Sequence, residues 1–168
     1  DWAVWDDTYA FMADRSKAYV ESNIVEASFT GMKLNVILFF GSDGALVLGQ
    51  AFDEADRMGA ALPTPLLAAR FGPRSPLIAL PAINDTKRGI LVGEGHPPLL
   101  FCSQPIVTSD GEGPSRGTMV FGAWLTAEAE LLAADGKDVE ELRASLPKLK
   151  AAEPQNVAFL EQLVRALR

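Results

Sequence analysis

The sequence NVILFF at residues 35–40, followed by GSDG at 41–44 and ALVLG at 45–49, decides the fold class of this chain. The first and third segments are rich in β-branched and aromatic residues, which favour strands, and the middle segment consists of turn residues. These residues predict a β-hairpin with a four-residue connection. Because both strands are apolar at nearly every position, they should be covered on both faces, as central strands are.

Residues 1–30, which precede the hairpin, have the pattern of one long amphipathic helix. Aromatic and apolar side chains, including Trp2, Trp5, Tyr9 and Met12, recur at spacings near three and four residues, and no proline interrupts the segment. One helix can cover only one face of the hairpin. The other face must therefore be covered by irregular segments or by a ligand.

Residues 51–87 follow the hairpin and are the least regular part of the chain, because prolines at positions 63, 65, 73, 76 and 81 break up any long element. We expect a long crossover here, with a short helix within residues 62–71. Three more apolar runs, at residues 88–93, 98–107 and 116–125, are separated by turn-forming sequences and predict an antiparallel meander.

The sequence becomes helical again at Thr126. Helices are expected from Thr126 to about residue 135, over residues 139–146, and after Pro154, where apolar residues occupy one stripe. The predicted fold is α+β: a PAS-like five-stranded antiparallel sheet with a long N-terminal helix and C-terminal helices. By analogy with PAS sensor sheets, the first strand should lie centrally and the last strand should pair beside it. At 168 residues, the chain is expected to form a single domain, residues 1–168.

The net charge of −7 comes from 15 Lys and Arg against 22 Asp and Glu. This balance disfavours binding to nucleic acid or to anionic membrane surfaces, since both require basic protein surface. With one cysteine, Cys102, and one histidine, His96, we expect no zinc or iron–sulfur site and no cofactor. The longest apolar run, residues 36–40, is far shorter than the roughly 20 residues of a membrane-spanning helix.

Two blocks of sequence carry a resemblance to a known family. The first is DWAVWDDTYAFM at residues 1–12, with Tyr19, Asn23, Phe39 and residues 43–44. The second comprises residues 104–106, 109–111, 113–114 and 116–118, with Leu125. Together they resemble the CHASE-type extracellular sensory domains of the fourth subclass over about residues 1–134, whereas the helical tail, residues 135–168, shows no such resemblance.

The resemblance implies an input module of a bacterial receptor. It would be the periplasmic or extracellular portion of an inner-membrane protein, held between transmembrane helices outside this sequence. The output would be a cyclic-dinucleotide cyclase, a phosphodiesterase or a histidine kinase elsewhere in the parent protein. The chain begins at Asp1, without a methionine or a targeting segment, so we expect a domain of a longer protein.

Four cations, Arg70, Arg74, Lys87 and Arg88, bracket the predicted crossover and are candidates for binding an acidic small molecule. Solvated loop charges are the alternative interpretation. Strand residues could orient a ligand in a mainly apolar pocket. The predicted ligand-binding residues are Arg70, Arg88, His96, Gln104 and Trp124, although His96 is also consistent with an ordinary residue of a hairpin loop.

Other polar residues favour structural roles. Asp6 and Asp7 diverge by about 100° on a helix, so one of them should cap it or bind a loop. Cys102 is predicted to be a small buried residue of a strand. The glycine-rich segment 111–117 lacks the lysine of a phosphate loop and is typical of a turn.

We therefore expect a non-enzymatic sensor without a catalytic or metal site. An anionic ligand would bind between sheet and crossover and shift the arrangement of the flanking helices. The apolar helical stripes would form a homodimer. The alternative is a dimerisation or protein-interaction module without a small-molecule pocket, and a small hydrolase is a third possibility that lacks a nucleophile–base set.

Overall fold

The computed structural model describes residues 2–80, 82–93 and 96–125. The chain divides into two compact units, the first containing residues 1–91 and 99–123 and the second containing residues 92–98 and 124–168. The helices predicted from Thr126 onward lie outside the described residues. The expectation of a single domain over residues 1–168 stays a prediction.

The described elements are four short helices and five strands. They follow in the order α1 (Asp6–Asp14), α2 (Lys17–Asn23), α3 (Glu26–Met32), β1 (Val36–Gly41), β2 (Leu46–Ala51), α4 (Thr64–Arg70), β3 (Lys87–Leu91), β4 (Leu99–Pro105) and β5 (Gly117–Trp124). The strands form one sheet in the order β2-β1-β5-β4-β3, and β1 is antiparallel to both β2 and β5. The predicted five-stranded antiparallel sheet is confirmed, with the first strand inside it and the last strand beside the first.

The single long helix predicted for residues 1–30 is wrong, because the chain forms three short helices there. Arg15 and Lys33 adopt the left-handed conformation, with φ of 57° and 54°, and end α1 and α3. After α1, the Ser16 N–H donates to Asp14 Oδ1 at 2.8 Å instead of to a helical carbonyl. The apolar period nevertheless continues across the breaks, because all three helices contribute buried side chains to the same core.

These helices cover one face of the sheet. The ring of Phe39 in β1 lies edge-on to Phe11 and Tyr19, with centroids 5.4 and 6.3 Å apart, and Phe11 stacks on Tyr19 at 4.6 Å. Such aromatic pairs contribute about 0.5–1.5 kcal/mol beyond the burial of their area. Helix α1 is thus held against β1, an inner strand of the sheet.

The crossover between β2 and β3 covers the opposite face. Phe71, directly after α4, packs against Phe40 of β1 and Phe101 of β4, with centroids 5.8 and 5.6 Å away. Two buried hydroxyls fasten the crossover further along: Ser103 Oγ donates to the Leu77 carbonyl at 2.5 Å, and Thr118 Oγ1 donates to the Ile78 carbonyl at 2.7 Å. Irregular segments therefore cover much of this face, as expected, and an opening remains where the β1–β2 turn, the crossover and the beginning of β5 meet.

Candidate ligand-binding cleft

A cleft of about 330 Å³ lies between the sheet and the crossover. It is bounded by the β1–β2 turn, the beginning of β5 and the second half of the crossover. This volume is near the lower end of the range for small-molecule pockets, about 300–1,000 Å³. Its lining residues are Gly41, Ser42, Gly44, Pro73, Ile78, Ala79, Leu80, Ser115, Gly117 and Thr118.

Glycines let the backbone segments around the cleft approach closely. Gly44 has a φ of 77°, and a Cβ built there would lie 2.6 Å from Pro73 of the crossover. Gly117 has a φ of 142°, and a Cβ there would overlap the carbonyl oxygen of Phe40. L-residues with side chains rarely adopt either conformation, so these two positions require glycine.

The polar groups of the cleft are hydroxyls and backbone groups. Thr118 Oγ1 donates to Ile78, and Ser115 Oγ donates to the Gly117 carbonyl at 2.7 Å while accepting the Gly117 N–H at 3.2 Å. None of the lining residues is charged. Asp43 lies between two lining residues of the turn, and its Oδ1 accepts the Ala45 N–H at 2.9 Å.

The loop before β5 is clamped to α1. The Asp6 N–H donates to Ser109 Oγ at 3.1 Å, and the Ser109 N–H donates to Asp6 Oδ1 at 3.0 Å. Arg116 Nη1 donates to the Tyr9 carbonyl at 2.9 Å, and its guanidinium lies 3.9 Å from the centre of the Tyr9 ring. The Tyr9 hydroxyl in turn donates to the Pro114 carbonyl at 3.1 Å.

This clamp gives a structural role to the two sequence blocks that carry the family resemblance. Residues of the first block, in α1, bind residues of the second block, in the loop before β5. The loop hydrogen bond expected for one of the two aspartates is made by Asp6. Arg116, which binds α1, lies between Ser115 and Gly117, which line the cleft. The cleft and α1 are thus connected through three consecutive residues.

Two of the predicted ligand residues, Arg88 and Gln104, lie on the face opposite the cleft. Side chains alternate along a strand, and Ser103 of β4 points to the crossover, so its neighbours Cys102 and Gln104 point away from it. Arg88 is paired with Cys102 across β3 and β4 and shares that face. Arg70 is half-buried at the end of α4 and is not among the cleft residues.

His96 and Trp124, the other two predicted ligand residues, belong to the second unit. Their rings are stacked, with centroids 5.7 Å apart and planes inclined by 8°. His96 is exposed in a loop, as the alternative interpretation expected. The structure thus brings His96 and Trp124 together and places Arg88 and Gln104 on one face, and ligand binding by any of the five residues stays a prediction.

The cleft residues themselves were not predicted from the sequence. The glycine-rich segments 41–44 and 111–117 marked the turns correctly, but pattern alone does not reveal that their neighbours meet the crossover. The length of the crossover was the sequence feature that could have indicated the cleft, since long loops in compact domains are often functional.

The prediction that Cys102 is a buried residue of a strand is wrong, because Cys102 is exposed. The alternation of β4 turns Phe101 and Ser103 inward and leaves Cys102 on the open side. Partial desolvation raises the pKa of the thiol, and the positive charge of Arg88 acts in the opposite direction.

Within residues 2–80, 82–93 and 96–125, no group of three or more His, Cys, Asp or Glu side chains is arranged to hold a metal ion. In the same part of the chain, no helix has the length and apolar character needed to cross a bilayer.

One solved structure has a similar fold, and a second is a weaker match. The extracellular domain of a proposed histidine kinase, vpHK1S-Z8, is similar with a TM-score of 0.51 and 18% identity, over 78% of this chain and 49% of that one. A domain of a proposed sensory box/GGDEF family protein from Vibrio parahaemolyticus matches with a TM-score of 0.49 and 15% identity, over 78% of this chain and 52% of that one. At such identities, the first likeness describes the fold alone.

Sequence comparison identifies the family. The chain is 31% identical over 134 residues to the methanogenesis regulatory histidine kinase FilI of Methanothrix harundinacea (strain 6Ac), which is 79% of this chain. The chain spans 15% of that relative's length. The family described as the CHASE4 domain matches residues 1–131. The chain therefore belongs to the CHASE4 domain family, the fourth subclass of the CHASE-type sensory domains.

Proposed function

We propose that this chain is the ligand-sensing input domain of a bacterial transmembrane receptor and lies on the periplasmic or extracellular side of the membrane. The observation that carries the proposal is the cleft between sheet and crossover, in a chain of the CHASE4 family. A ligand can change the output only if it binds two arrangements with different affinity, and such couplings are typically about 1–3 kcal/mol.

The connection between the cleft and α1 supports a route for the signal. Ser115 and Gly117 line the cleft, and Arg116 between them donates a hydrogen bond to the Tyr9 carbonyl of α1. A ligand that moves the beginning of β5 would change the contact of Arg116 with α1. In the parent protein, α1 would pass this change toward the membrane.

For the output we propose a histidine kinase, because the relative with 31% identity carries that name. A cyclic-dinucleotide cyclase or phosphodiesterase is the alternative output.

We also propose a homodimer formed by the apolar stripe of Val157, Leu160 and Leu163, which lies outside the described residues. Changing these three residues to alanine should weaken the dimer, which sedimentation velocity would detect as a lower sedimentation coefficient. An unchanged sedimentation coefficient would exclude this dimer interface.

The test of sensing is a thermal-shift screen of the 168-residue chain against carboxylates, amino acids, phosphates and neutral polar metabolites. A compound that binds the native state raises the melting temperature by mass action. The Ala79→Leu variant places a larger side chain in the cleft, and Ala18→Leu makes the same change at an exposed position of α2. The rise should persist in Ala18→Leu and disappear in Ala79→Leu.

A protein-interaction module is the second candidate, and a half-exposed aromatic cluster favours it. The ring of Trp2 lies 6.3 Å from that of Trp5 and 6.2 Å from that of Phe121. All three side chains remain partly exposed, and partly exposed aromatic residues are enriched at interfaces. A ligand screen without any thermal shift would favour this candidate over the sensor.

A further inference from the structure

We propose that the cleft selects a small neutral molecule that donates hydrogen bonds, such as a polyol or a primary amide, over carboxylates and phosphates. This inference rests on the proposed function, because it names the chemical class of the sensed ligand. It replaces the anionic ligand expected from the cations that bracket the crossover.

The first argument is charge. The lining residues carry no positive charge, and the nearest carboxylate in the turn, Asp43, would repel an anion. Arg116 is adjacent to two lining residues, but its guanidinium is held by the carbonyl and ring of Tyr9. Arg74 follows Pro73 and is exposed to solvent. An anionic ligand would therefore lose its hydration without gaining a positive charge from the lining, which disfavours its binding.

The second argument is the direction of the hydrogen bonds. Each hydroxyl has one proton to donate and two lone pairs that accept. Thr118 gives its proton to the Ile78 carbonyl, and Ser115 gives its proton to the Gly117 carbonyl. These two hydroxyls can therefore offer only acceptor capacity to a ligand, and the third lining hydroxyl, that of Ser42, is exposed to solvent in the turn directly before Asp43. Carboxylates and fully ionised phosphates have no proton to donate, whereas alcohols and amides do.

The third argument is the apolar wall. Pro73, Ile78 and Leu80 line the cleft on the crossover side, opposite the hydroxyls of β5. Pockets for small molecules combine such apolar walls with a few polar groups that fix orientation. A short carbon skeleton with a hydroxyl or amide group matches this arrangement.

The test compares molecules that share a carbon skeleton and differ in charge. Propionamide with propionate forms one series, and glycerol with glycerol 3-phosphate forms a second. Each is titrated into the 168-residue chain while the backbone amide signals of Gly41, Gly44 and Gly117 are followed by NMR. The neutral member of each series should bind with a Kd at least about tenfold lower than its anionic counterpart. Its shifts should disappear in Ala79→Leu and persist in Ala18→Leu.

Tighter or equal binding of propionate or glycerol 3-phosphate in the cleft would overturn the proposed preference for a neutral ligand while leaving the sensor proposal intact. Failure of every molecule in both series to shift the three glycine signals would also overturn the inference. If the metabolite screen produced no thermal shift either, the proposed function would fail as well.

Discussion

Gly117, at the start of β5, shows how one residue position constrains the structure around the cleft. Its φ is 142°, and a Cβ there would overlap the Phe40 carbonyl on the neighbouring strand. We expect Gly117→Ala to lower the free energy of unfolding by about 3 kcal/mol or more, since neither strand can move without breaking its pairing. Urea unfolding measures this change.

Gly31 in α3 is the matched control for Gly117, because a Cβ there would have no neighbour within 4 Å. Gly31→Ala should stabilise the chain by up to about 1 kcal/mol through helix propensity. Equal effects of the two substitutions would contradict the steric argument.

The burial of the Tyr19 phenol predicts that the folded chain loses stability at alkaline pH. Its hydroxyl lies 2.7 Å from Thr8 Oγ1, and burial raises the pKa of the phenol above its ordinary value of 10.0. As pH rises through about 10, the unfolded chain loses this proton while the native chain keeps it, so stability falls. Urea unfolding between about pH 9 and 11 should show a steeper fall for the native sequence than for Tyr19→Phe. Identical slopes would show that Tyr19 does not contribute.

At the scale of elements, the crossover depends on two hydroxyls of the sheet. Ser103 and Thr118 are both buried and donate to the consecutive carbonyls of Leu77 and Ile78. Ser103→Ala and Thr118→Val should each cost about 1–3 kcal/mol, because a buried carbonyl loses its partner. Hydrogen exchange at the backbone amides of residue 75 and residues 77–80 should accelerate in both variants. Thr30→Val, at an exposed position of α3, should leave that exchange unchanged.

The clamp between α1 and the loop before β5 can be measured by single substitutions, because each side chain binds the backbone N–H of the other residue. Asp6→Ala removes the acceptor of the Ser109 N–H and should lower the free energy of unfolding by about 0.5–1.5 kcal/mol in urea unfolding. Asp7 is the neighbouring exposed aspartate, and Asp7→Ala should leave the free energy of unfolding nearly unchanged. Equal effects of the two substitutions would contradict a specific role for Asp6.

The N-terminal helices show what the apolar periodicity of a sequence predicts about an element and what it does not. The apolar spacing correctly indicates which side chains face the sheet, since Phe11, Met12 and Tyr19 are buried there. It does not reveal the breaks, because Arg15 and Lys33 are ordinary helix formers, and their residue types do not predict the φ above 50° that both adopt. Burial of the aromatic rings outweighs the local cost of these two conformations.

For the molecule as a whole, the net charge of −7 predicts self-repulsion that salt should relieve. Raising the ionic strength from about 0.01 M to about 0.15 M should increase the melting temperature, because the screening length falls from about 30 to 8 Å. The exposed bidentate pair of Arg57 with Glu26 opposes this trend slightly.

The double variant Glu26→Gln, Arg57→Gln removes that pair and leaves the net charge unchanged, since one charge of each sign is lost. Its melting temperature should rise with salt by more than that of the native sequence. A fall in melting temperature with added salt in both chains would contradict the repulsion argument.

The amino-acid sequence by itself determined the five strands, the turns between them, the short crossover helix and the family. These features depend on strand propensity, turn residues and motifs that act within a few positions. The sheet order also followed, through the analogy with PAS sheets, and the pairing of β1 with β5 confirms it.

Only the tertiary structure decided which of these residues meet. Asp6 and Ser109 are separated by 103 positions, and Ser103 and Leu77 by 26, so neither contact is visible in local periodicity. Strand register decided that Gln104 faces away from the crossover, since a shift of one residue would reverse it. The cleft exists because three distant segments converge, and convergence is set by packing rather than by the pattern of any one segment.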